Sequence, residues 1–368
     1  MSEIQLPSHN EKIVFKDHSI LPYFTNEDFS HYLNEDATLK NDDFLLIQVH
    51  SVGLNPIDAM MYNVSTKLLT GCSNKGLGRD FSGTIVKTGK NVKDFQYGDN
   101  VCGTLVDMYS PIGSLSKYIY IDYNKIKKVL LKFDHEKLTY DQASSWPIVL
   151  TTAYDGIFRC KNLKLDSNSN VLVIGGGTSV GMLAIQICKK ILNCQNIVTV
   201  CSSKSNELVN NFGATKTIDY TAVDDILNPI LDLNLKFDLI FDCVGNNNLL
   251  LHLPTLLNDP LKTNATYVTI VGDNKYNYRD AAFFGLIKTM IICSLRQALC
   301  RTKLYGGYNY RLLFVDVSHE EFEKCLKWLE DKTLLLPIDS TYAWKKFPDA
   351  FERLISNKAK GKVIVEVD

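Results

Sequence analysis

A glycine-rich turn inside an apolar stretch is the feature of this sequence with the clearest chemical meaning. The stretch VLVIGGGTSVGMLAIQICKK (171–190) places Gly175, Gly177 and Gly181 between a strand-like run and a helix-like run. Such a turn leaves the first backbone N–H groups of the helix free, and together with the helix dipole these groups can hold a pyrophosphate. The spacing Gly-x-Gly-x-x-x-Gly is longer than the usual dinucleotide motif. A glycine-bearing turn of some other α/β protein therefore stays open as the alternative.

The end of the next strand-like run indicates which nucleotide would bind. In dinucleotide-binding folds an acidic residue at this place binds the ribose 2′-hydroxyl. Here the run ends in Cys201, Ser202, Ser203 and Lys204, without a carboxylate. A carboxylate would repel a 2′-phosphate, whereas hydroxyls and an ammonium would accept one. The sequence therefore predicts NADP(H) rather than NAD(H), and a solvated loop charge at Lys204 is the alternative.

These motifs lie in a region where apolar strands alternate with helical stretches. Continuous apolar strands with helical crossovers predict a parallel sheet that is covered on both faces. The predicted strands are 171–175, 196–202, 237–245 and 267–273.

The flanking regions have a different texture. Before about residue 135 the runs are short, β-branched or aromatic, and punctuated by glycine, which is typical of a small β domain. Its predicted strands are 44–55, 82–95, 98–105 and 114–123, and a helix (319–331) and a last strand (361–367) follow the parallel region. We predict an α/β protein in which a Rossmann-type, doubly wound domain (150–316) is inserted between two parts of a β-rich substrate domain (1–149 and 317–368).

Composition limits the classes of function. The chain has 368 residues, 45% of them apolar and 22% charged, with a formal net charge of −1. This is enough for two globular domains, and it offers no basic field for nucleic acid. The ten cysteines form no CxxC pair, and acidic residues interrupt the amino-terminal segment while its first arginine is Arg79. We therefore expect free thiols, no cleaved leader and a cytoplasmic location.

Several longer segments resemble the zinc-independent quinone oxidoreductases of the medium-chain dehydrogenase/reductase superfamily. The resemblance runs from about residue 44 to the carboxyl terminus and is carried by HSVGLNPIDAMMYN, GRDFSGTIVKTGKNVKDFQYGDNV, ASSWPIVLTTAYDGI, FDLIFDCVG and AKGKVIVEV. It implies a GroES-like β domain joined to a Rossmann domain, and hydride transfer from NADPH to a quinone or an α,β-unsaturated carbonyl compound. GNNNLL and ISNKAKGKVIVEV are most similar to a fungal branch, whose budding-yeast members are associated with lipid particles and mitochondria.

The resemblance also bears on metal binding. Zinc-dependent relatives carry a cysteine at the position of Asn55 and a His-Glu pair at that of Arg79 and Asp80, and Cys102 stands alone where a four-cysteine cluster is expected. A catalytic zinc needs three protein ligands. We therefore expect no metal site.

The resemblance assigns roles to individual residues. Asn55 corresponds to a family asparagine beside the nicotinamide, and Thr152 to a threonine under it. The positions implied to contact the rest of the cofactor are Gly175, Gly177, Thr178, Ser179, Val180 and Gly181 at the pyrophosphate, Ser202, Ser203, Lys204 and Tyr220 at the 2′-phosphate, and Val244, Gly245, Val271, Gly272 and Asn357 along the remainder.

Two departures from the family pattern concern turnover. Thr178 and Ser179 replace two adjacent glycines, and Met60 replaces a tyrosine, with Tyr62 close behind it. Tyr62 is our candidate for supplying a proton to the product, and a packed position for its ring is the alternative. The rival function is a low-turnover NADPH-binding or scaffold protein.

The segment 281–303 is apolar except for a few basic residues. Lys288 and Arg296 interrupt it, which argues against a membrane-spanning helix, and Arg301 and Lys303 end it. Burial beneath the cleft or in a dimer contact is one interpretation, since a homodimer is expected from the family. The other is peripheral attachment to a lipid surface, with Phe283, Phe284, Leu286 and Ile287 inserted among the lipids.

Overall fold

The computed structural model describes residues 6–275, 277, 283–300, 302 and 307–367. The strands are β1 (His9–Phe15), β2 (Tyr23–Asp28), β3 (Phe44–Leu54), β4 (Lys75–Gly76), β5 (Asp80–Thr88), β6 (Asn100–Thr104), β7 (Tyr118–Asp122), β8 (Leu130–Lys132), β9 (Asn170–Ile174), β10 (Asn196–Cys201), β11 (Lys216–Asp219), β12 (Leu239–Asp242), β13 (Thr266–Thr269), β14 (Asn309–Leu312), β15 (Ile338–Ala343) and β16 (Lys362–Glu366). The helices are α1 (Pro56–Asn63), α2 (Lys67–Thr70), α3 (Tyr123–Ile126), α4 (Tyr140–Ser145), α5 (Pro147–Phe158), α6 (Ser179–Gln186), α7 (Asn206–Asn211), α8 (Leu227–Leu231), α9 (Leu253–Leu256), α10 (Pro260–Thr263), α11 (Phe283–Leu299), α12 (His319–Glu330) and α13 (Phe347–Ile355).

The central part of the chain forms a six-stranded sheet in the order β11-β10-β9-β12-β13-β14. Every pairing in it is parallel. The apolar strands β9, β10 and β12 are buried because helices cover both faces, as their continuous apolar runs predicted. The strand order reverses between β9 and β12, and ligands of doubly wound sheets bind at the carboxyl ends of the strands at such a point. The predicted α/β class and parallel sheet are confirmed.

The flanking parts of the chain build a second, seven-stranded sheet. Its order is β15-β16-β3-β5-β6-β8, with β7 also paired to β3. The carboxyl-terminal strand β16 is antiparallel to β3, so the two ends of the chain share one sheet. A small sheet β2-β1-β4 lies beside it. The domain boundaries at 149 and 316 stay predictions.

Helix α5 connects the two regions and carries one of the predicted site residues. It starts at Pro147, whose ring suits the first position of a helix. Just before it, the buried Trp146 packs on Phe322 of α12, with ring centroids 4.5 Å apart. This contact holds the beginning of α5 against the carboxyl-terminal part of the chain.

Candidate active site

The glycine turn joins β9 to α6, as predicted. Thr178 is the N-cap of α6: its hydroxyl accepts from the Gly181 amide at 3.1 Å and donates to the Gly175 carbonyl at 2.8 Å. The Thr178 hydroxyl therefore shapes the turn. Ser179 and Val180 open the helix, so their N–H groups lie outside its hydrogen-bond ladder and face the carboxyl end of the sheet.

The glycines of this turn have no side chain, which lets the turn pack closely. Gly175 has a φ of +85°, which disfavours other residues. A Cβ atom on Gly176 would lie 1.9 Å from the hydroxyl oxygen of Thr199, and one on Gly181 would lie 2.3 Å from the Gly175 carbonyl oxygen. These glycines are thus required by packing within the turn, and binding of a pyrophosphate at the N–H groups of Ser179 and Val180 stays a prediction.

The end of β10 forms a corner that we call the lysine corner, made of Ser202, Ser203, Lys204, Asp219 and Lys360. Lys360, in the segment before β16, donates through its ammonium to the Lys204 carbonyl oxygen. Hydrogen bonds lower the pKa of Asp219, at the end of β11; the strongest come from Thr221, and weaker ones come from Ser203. Two ammonium groups and one carboxylate leave this corner with a net positive charge, which suits a 2′-phosphate.

Two members of the lysine corner, Lys360 and Asp219, were not predicted from the sequence. Lys360 lies in the quoted segment AKGKVIVEV, but only the fold brings it across to Lys204. Asp219 lies one strand beyond the place where an acidic residue was sought. The predicted neighbours Tyr220 and Asn357 are both exposed, and Asn357 has a φ of +56° in the turn that leads to Lys360.

The loop after β12 is organised by a buried carboxylate that sequence analysis also missed. Asp242 accepts from the amides of Val244 and Gly245 at 2.9 Å each and of Asn246 at 2.8 Å. It also accepts from the Tyr267 hydroxyl at 2.6 Å. The only sequence signal for this role was an acidic residue at the carboxyl end of an apolar strand.

The loops after β12 and β13 touch each other. Gly245 has a φ of +79°, and a Cβ atom there would lie 2.3 Å from the Asn274 carbonyl oxygen. On the other side, Gly272 and the adjoining Val271 are held by the Thr269 hydroxyl, which accepts from the Gly272 amide at 3.0 Å. The predicted cofactor positions 244–245 and 271–272 therefore lie on one continuous rim, which the loops after β12 and β13 form at the carboxyl edge of the sheet.

A hydrogen bond and a packing contact hold helix α11 against this rim. Asp273 accepts from the Tyr310 hydroxyl at 2.6 Å and from the Arg296 guanidinium at 3.0 Å. A Cβ atom on Gly272 would lie 2.6 Å from the side chain of Thr289, in α11. Part of α11 thus rests directly on a loop of the candidate nucleotide site.

Thr152 lies in α5, buried and one helical turn from its beginning. Its hydroxyl donates to the Ile148 carbonyl oxygen at 2.6 Å. The hydroxyl oxygen still has a lone pair that can accept from a ligand. Its contact with a nicotinamide stays a prediction.

Five polar side chains form what we call the buried ionic cluster: Asn55, Asp58, Arg79, Asp80 and Lys362, all nearly inaccessible. Lys362 donates to the Asn55 side-chain oxygen at 2.7 Å and lies 3.2 Å from Asp80. The Asn55 amide donates to Asp80 at 2.9 Å, and the Asn55 backbone N–H donates to Asp58 at 2.8 Å. Asn55 and Asp80, two of the positions that the resemblance equates with zinc ligands, are therefore hydrogen-bonded to each other.

The hydrogen bonds of Asn55 give its side chain a structural role. Its second side-chain N–H donates to the Gly53 carbonyl oxygen at 3.1 Å, so both donors are used inside the protein. Asn55 is the N-cap of α1 and joins that helix to β5 and β16. A direct contact of Asn55 with nicotinamide stays a prediction.

Tyr62 lies in the packed interior. Its ring stands edge-on to Phe15 at 5.9 Å and to Phe351 at 5.8 Å, and its hydroxyl donates to the His18 carbonyl oxygen at 3.2 Å. Burial raises the pKa of Tyr62. These contacts correspond to the packing alternative, and proton donation by Tyr62 stays a prediction.

Asp58 and Arg79 are oppositely charged members of the buried ionic cluster, and the hydrogen bonding of both side chains is incomplete. Arg79 donates to the Leu105 carbonyl oxygen at 2.6 Å, whereas its Nε and one Asp58 oxygen have no hydrogen-bond partner among the described residues. Burial raises the pKa of Asp58 to about 7, and the nearby Arg79 charge opposes that rise.

Replacing Asp58 by asparagine is expected to stabilise the protein at alkaline pH. Because the pKa of Asp58 is about 7 in the fold and about 4 in an unfolded chain, its contribution favours folding at low pH and is lost as the pH rises from about 4 to about 7. Asparagine can keep the bond from the Asn55 amide without a charge. At pH 8 we expect Asp58→Asn to be more stable than the parent on the order of 2 kcal/mol, and nearly equal at pH 4. Urea unfolding at both pH values measures this, and an equal difference at both would contradict it.

The described residues contain no group of side chains that could hold a metal ion. Among residues 6–275, 277, 283–300, 302 and 307–367, no three His, Cys, Asp or Glu side chains lie together as a metal site requires. The described cysteines are free thiols.

Comparisons with known proteins agree with this architecture. Residues 41–129 match the alcohol dehydrogenase GroES-like domain, and residues 212–365 match the zinc-binding dehydrogenase family. Among solved structures, the quinone oxidoreductase from Coxiella burnetii superposes with a TM-score of 0.75 and 21% identity, covering 98% of this chain and all of that one. A putative NADPH:quinone reductase from Bacillus thuringiensis gives a TM-score of 0.71 at 18% identity, over 97% and 99% of the two chains.

Two similar curated proteins come from the yeasts Lachancea thermotolerans and Saccharomyces cerevisiae. Protein YIM1-1 of Lachancea thermotolerans is 32% identical over 369 residues, which cover 97% of this chain and 98% of the relative. Protein YIM1 of Saccharomyces cerevisiae is 32% identical over 345 residues, covering 89% and 90%. The expected GroES-like domain and the fungal resemblance are confirmed, and this chain belongs to the medium-chain dehydrogenase/reductase superfamily, alongside the yeast YIM1 proteins.

Proposed function

We propose that this protein is a zinc-independent, NADPH-dependent oxidoreductase that transfers a hydride to quinones or α,β-unsaturated carbonyl compounds. The observation that carries the proposal is the carboxyl edge of the parallel sheet. There the start of α6 meets the lysine corner and the paired loops after β12 and β13 at the switch point of the sheet. Solved structures of the same fold that are named as quinone reductases support the class of acceptor.

The chain supplies position and electrostatics in this proposal. When bound, the nicotinamide supplies the hydride. The amides of Ser179 and Val180 would face the pyrophosphate, the lysine corner would face the 2′-phosphate, and Thr152 would hold the nicotinamide half. An electron-poor acceptor needs little further activation, so its placement beside the nicotinamide is the main requirement.

The direct experiment is a titration followed by turnover. Fluorescence titration should show NADPH bound more tightly than NADH, and assays over quinones and enals should show oxidation of NADPH. Preference for NADH, or binding of neither nucleotide, would overturn the proposal. Tight NADPH binding without turnover on any acceptor would favour the low-turnover alternative.

Removing both ammonium groups of the lysine corner should abolish the preference for NADPH. Each ammonium on a phosphate forms a charge-assisted bond, and its loss costs about tenfold in affinity. We expect the double variant Lys204→Ala/Lys360→Ala to bind NADPH about a hundredfold more weakly and to leave NADH binding nearly unchanged. Lys216→Ala is the matched control, because Lys216 is an exposed lysine at the opposite end of the same sheet. An equal loss for both nucleotides would place the 2′-phosphate elsewhere.

A second candidate function, attachment to a lipid surface, is favoured by the outer face of α11. We call this the α11 apolar face: seven exposed apolar side chains, namely Phe284, Ile287, Met290, Ile291, Ile292, Leu295 and Leu299. Phe284 is 81% exposed and Leu295 is 56% exposed. Exposed apolar patches of this kind mark contact surfaces. None of the described helices is long and apolar enough to cross a bilayer.

We propose that the α11 apolar face inserts shallowly into a lipid surface, such as that of a lipid droplet or mitochondrion. Helix α11 contains no acidic residue, and its exposed Lys288 suits anionic headgroups. The predicted basic contributors Arg301 and Lys303, together with Ala281 and Ala282, lie outside the described residues.

Flotation with phosphatidylcholine–phosphatidylserine vesicles tests this attachment. Phe284→Ser/Ile291→Ser should lose most of its flotation, because it removes two inserted apolar side chains. Leu68→Ser is the control, since Leu68 is 92% exposed on the other domain. Unchanged flotation of the double variant would contradict attachment. If flotation is unchanged and the double variant also dissociates a dimer, the α11 apolar face would be assigned to contact with a second copy of the chain.

A further inference from the structure

One oxygen of Asp80 joins three distant parts of the chain. It accepts from the Asn55 side-chain amide at 2.9 Å, from the Lys362 ammonium at 3.2 Å and from the backbone N–H of Ile148 at 3.3 Å. These donors belong to the start of α1, to β16 and to the first turn of α5. Asp80 and Lys362 are 0% and 2% exposed, so water does not compete for these bonds.

The third of these bonds leads to a predicted cofactor residue. Ile148 lies in the first turn of α5, where the helix dipole favours a carboxylate. The carbonyl oxygen of the same residue accepts from the Thr152 hydroxyl at 2.6 Å. A continuous chain of bonds therefore runs from Lys362 through Asp80 and Ile148 to Thr152.

Stability alone does not account for this pair. A buried ion pair is often no more stabilising than well-packed apolar residues of the same size, because both charges lose their hydration. It does, however, fix the relative position of its partners, because breaking the pair leaves a buried charge unpaired. Here the ionic partners lie on β5 and β16 of the β-rich domain, and the bond from the Ile148 N–H to Asp80 ties the first turn of α5 to them.

We propose that Asp80, held by Lys362, is a positioning residue for hydride transfer that fixes the first turn of α5 and thereby Thr152 beneath the nicotinamide. This inference rests on the proposed function. Asp80 acts through the helix, and no contact of Asp80 with substrate or cofactor is part of the proposal.

The test compares three variants with the parent. Asp80→Asn removes the charge but keeps the shape, and Asp80→Asn/Lys362→Met removes both charges, so that no buried ammonium is left unpaired. Glu27→Gln is the matched control, because Glu27 is a partly buried carboxylate that is paired with Lys12 in the small sheet. Thermal unfolding identifies the variants that remain folded at the assay temperature.

Two readouts separate positioning from a merely structural role. Amide hydrogen exchange over residues 148–152, without nucleotide, should be at least about tenfold faster in the double variant than in the parent or in Glu27→Gln. With NADPH and a quinone, kcat should fall about tenfold to a hundredfold while KM for NADPH changes little.

Each failure has a distinct meaning. Exchange over 148–152 that stays at the parental rate in the folded double variant would overturn the positioning inference. An unchanged kcat would overturn it as well. Absence of NADPH binding by the parent protein would instead overturn the proposed function, whereas the exchange measurement would still report on the link between Asp80 and α5.

Discussion

Replacing Ser179 by glutamate is expected to abolish nucleotide binding while leaving the fold intact. Ser179 is the first residue of α6, where a carboxylate interacts favourably with the helix dipole by about 0.3–1 kcal/mol. The same carboxylate would stand beside the pyrophosphate. Two unit charges 4 Å apart at an effective dielectric constant of about 20 repel each other by about 4 kcal/mol. Repulsion therefore dominates, and we expect Kd for NADPH and for NADH to rise by about a thousandfold.

Ser179→Ala is the control for this prediction. It removes the hydroxyl without adding a charge, so binding should weaken by less than about tenfold. The melting temperature of Ser179→Glu should equal or exceed that of the parent. A glutamate variant that binds both nucleotides as the parent does would show that the pyrophosphate lies elsewhere, and the glycine turn would then be an ordinary connection of an α/β protein.

Glycine content alone could not distinguish these two interpretations. Gly176 and Gly181 are required by close packing on Thr199 and on the Gly175 carbonyl oxygen, whether or not a ligand binds. The sequence therefore predicted the turn and its place between strand and helix, but not its use. A measurement of binding is needed because internal packing and phosphate binding demand the same small residues.

Strand existence was predictable from apolar runs, and strand ends were less so. The run 171–175 became β9, Asn170–Ile174, because apolar residues continue to its end. The run 237–245 was shortened to β12, Leu239–Asp242. The amides of residues 244–246 donate to the carboxylate of Asp242, so they do not pair with a neighbouring strand. The pattern of hydrophobic residues does not indicate these hydrogen bonds.

Contacts between site residues that lie far apart in the sequence were also not predictable. Motif spacing predicted Ser202, Ser203 and Lys204 together because they are adjacent in sequence. Lys360 joins them across 156 positions, and Lys362 reaches Asp80 across 282. Such pairs arise because the carboxyl-terminal strand β16 returns to the seven-stranded sheet. This return was predicted as a domain arrangement but not as individual contacts.

For Tyr62, the sequence position did not indicate on which face of the helix the side chain lies. Its place in the sequence, close to the position of a family tyrosine, suggested a role in the cleft. On α1, however, Met61 and Tyr62 are buried, and Met60 lies on the partly exposed side. Because neighbouring residues of a helix point about 100° apart, a shift of two positions moves a side chain to another face. The Tyr62 ring therefore lies on the buried side of α1, and its role toward a substrate stays a prediction.

The loop carboxylate Asp242 supports the largest stability prediction. Asp242→Ala would leave three amides and the Tyr267 hydroxyl without their partner, and each unpaired buried group costs about 1–3 kcal/mol. We expect the free energy of unfolding to fall by at least about 4 kcal/mol in urea denaturation. NADPH binding should fail with it, because the contact between Gly245 and Asn274 depends on this loop.

A graded series shows whether the charge or the shape of Asp242 matters. Tyr267→Phe removes one bond and should cost about 1 kcal/mol. Asp242→Asn keeps one accepting oxygen but turns an N–H group toward the amide of Asn246, so it should lie between Tyr267→Phe and Asp242→Ala. Burial raises the pKa of Asp242, and the bonds from the four donors oppose that rise. An asparagine variant as stable as the parent would show that the loop needs an oxygen at this place and not a charge.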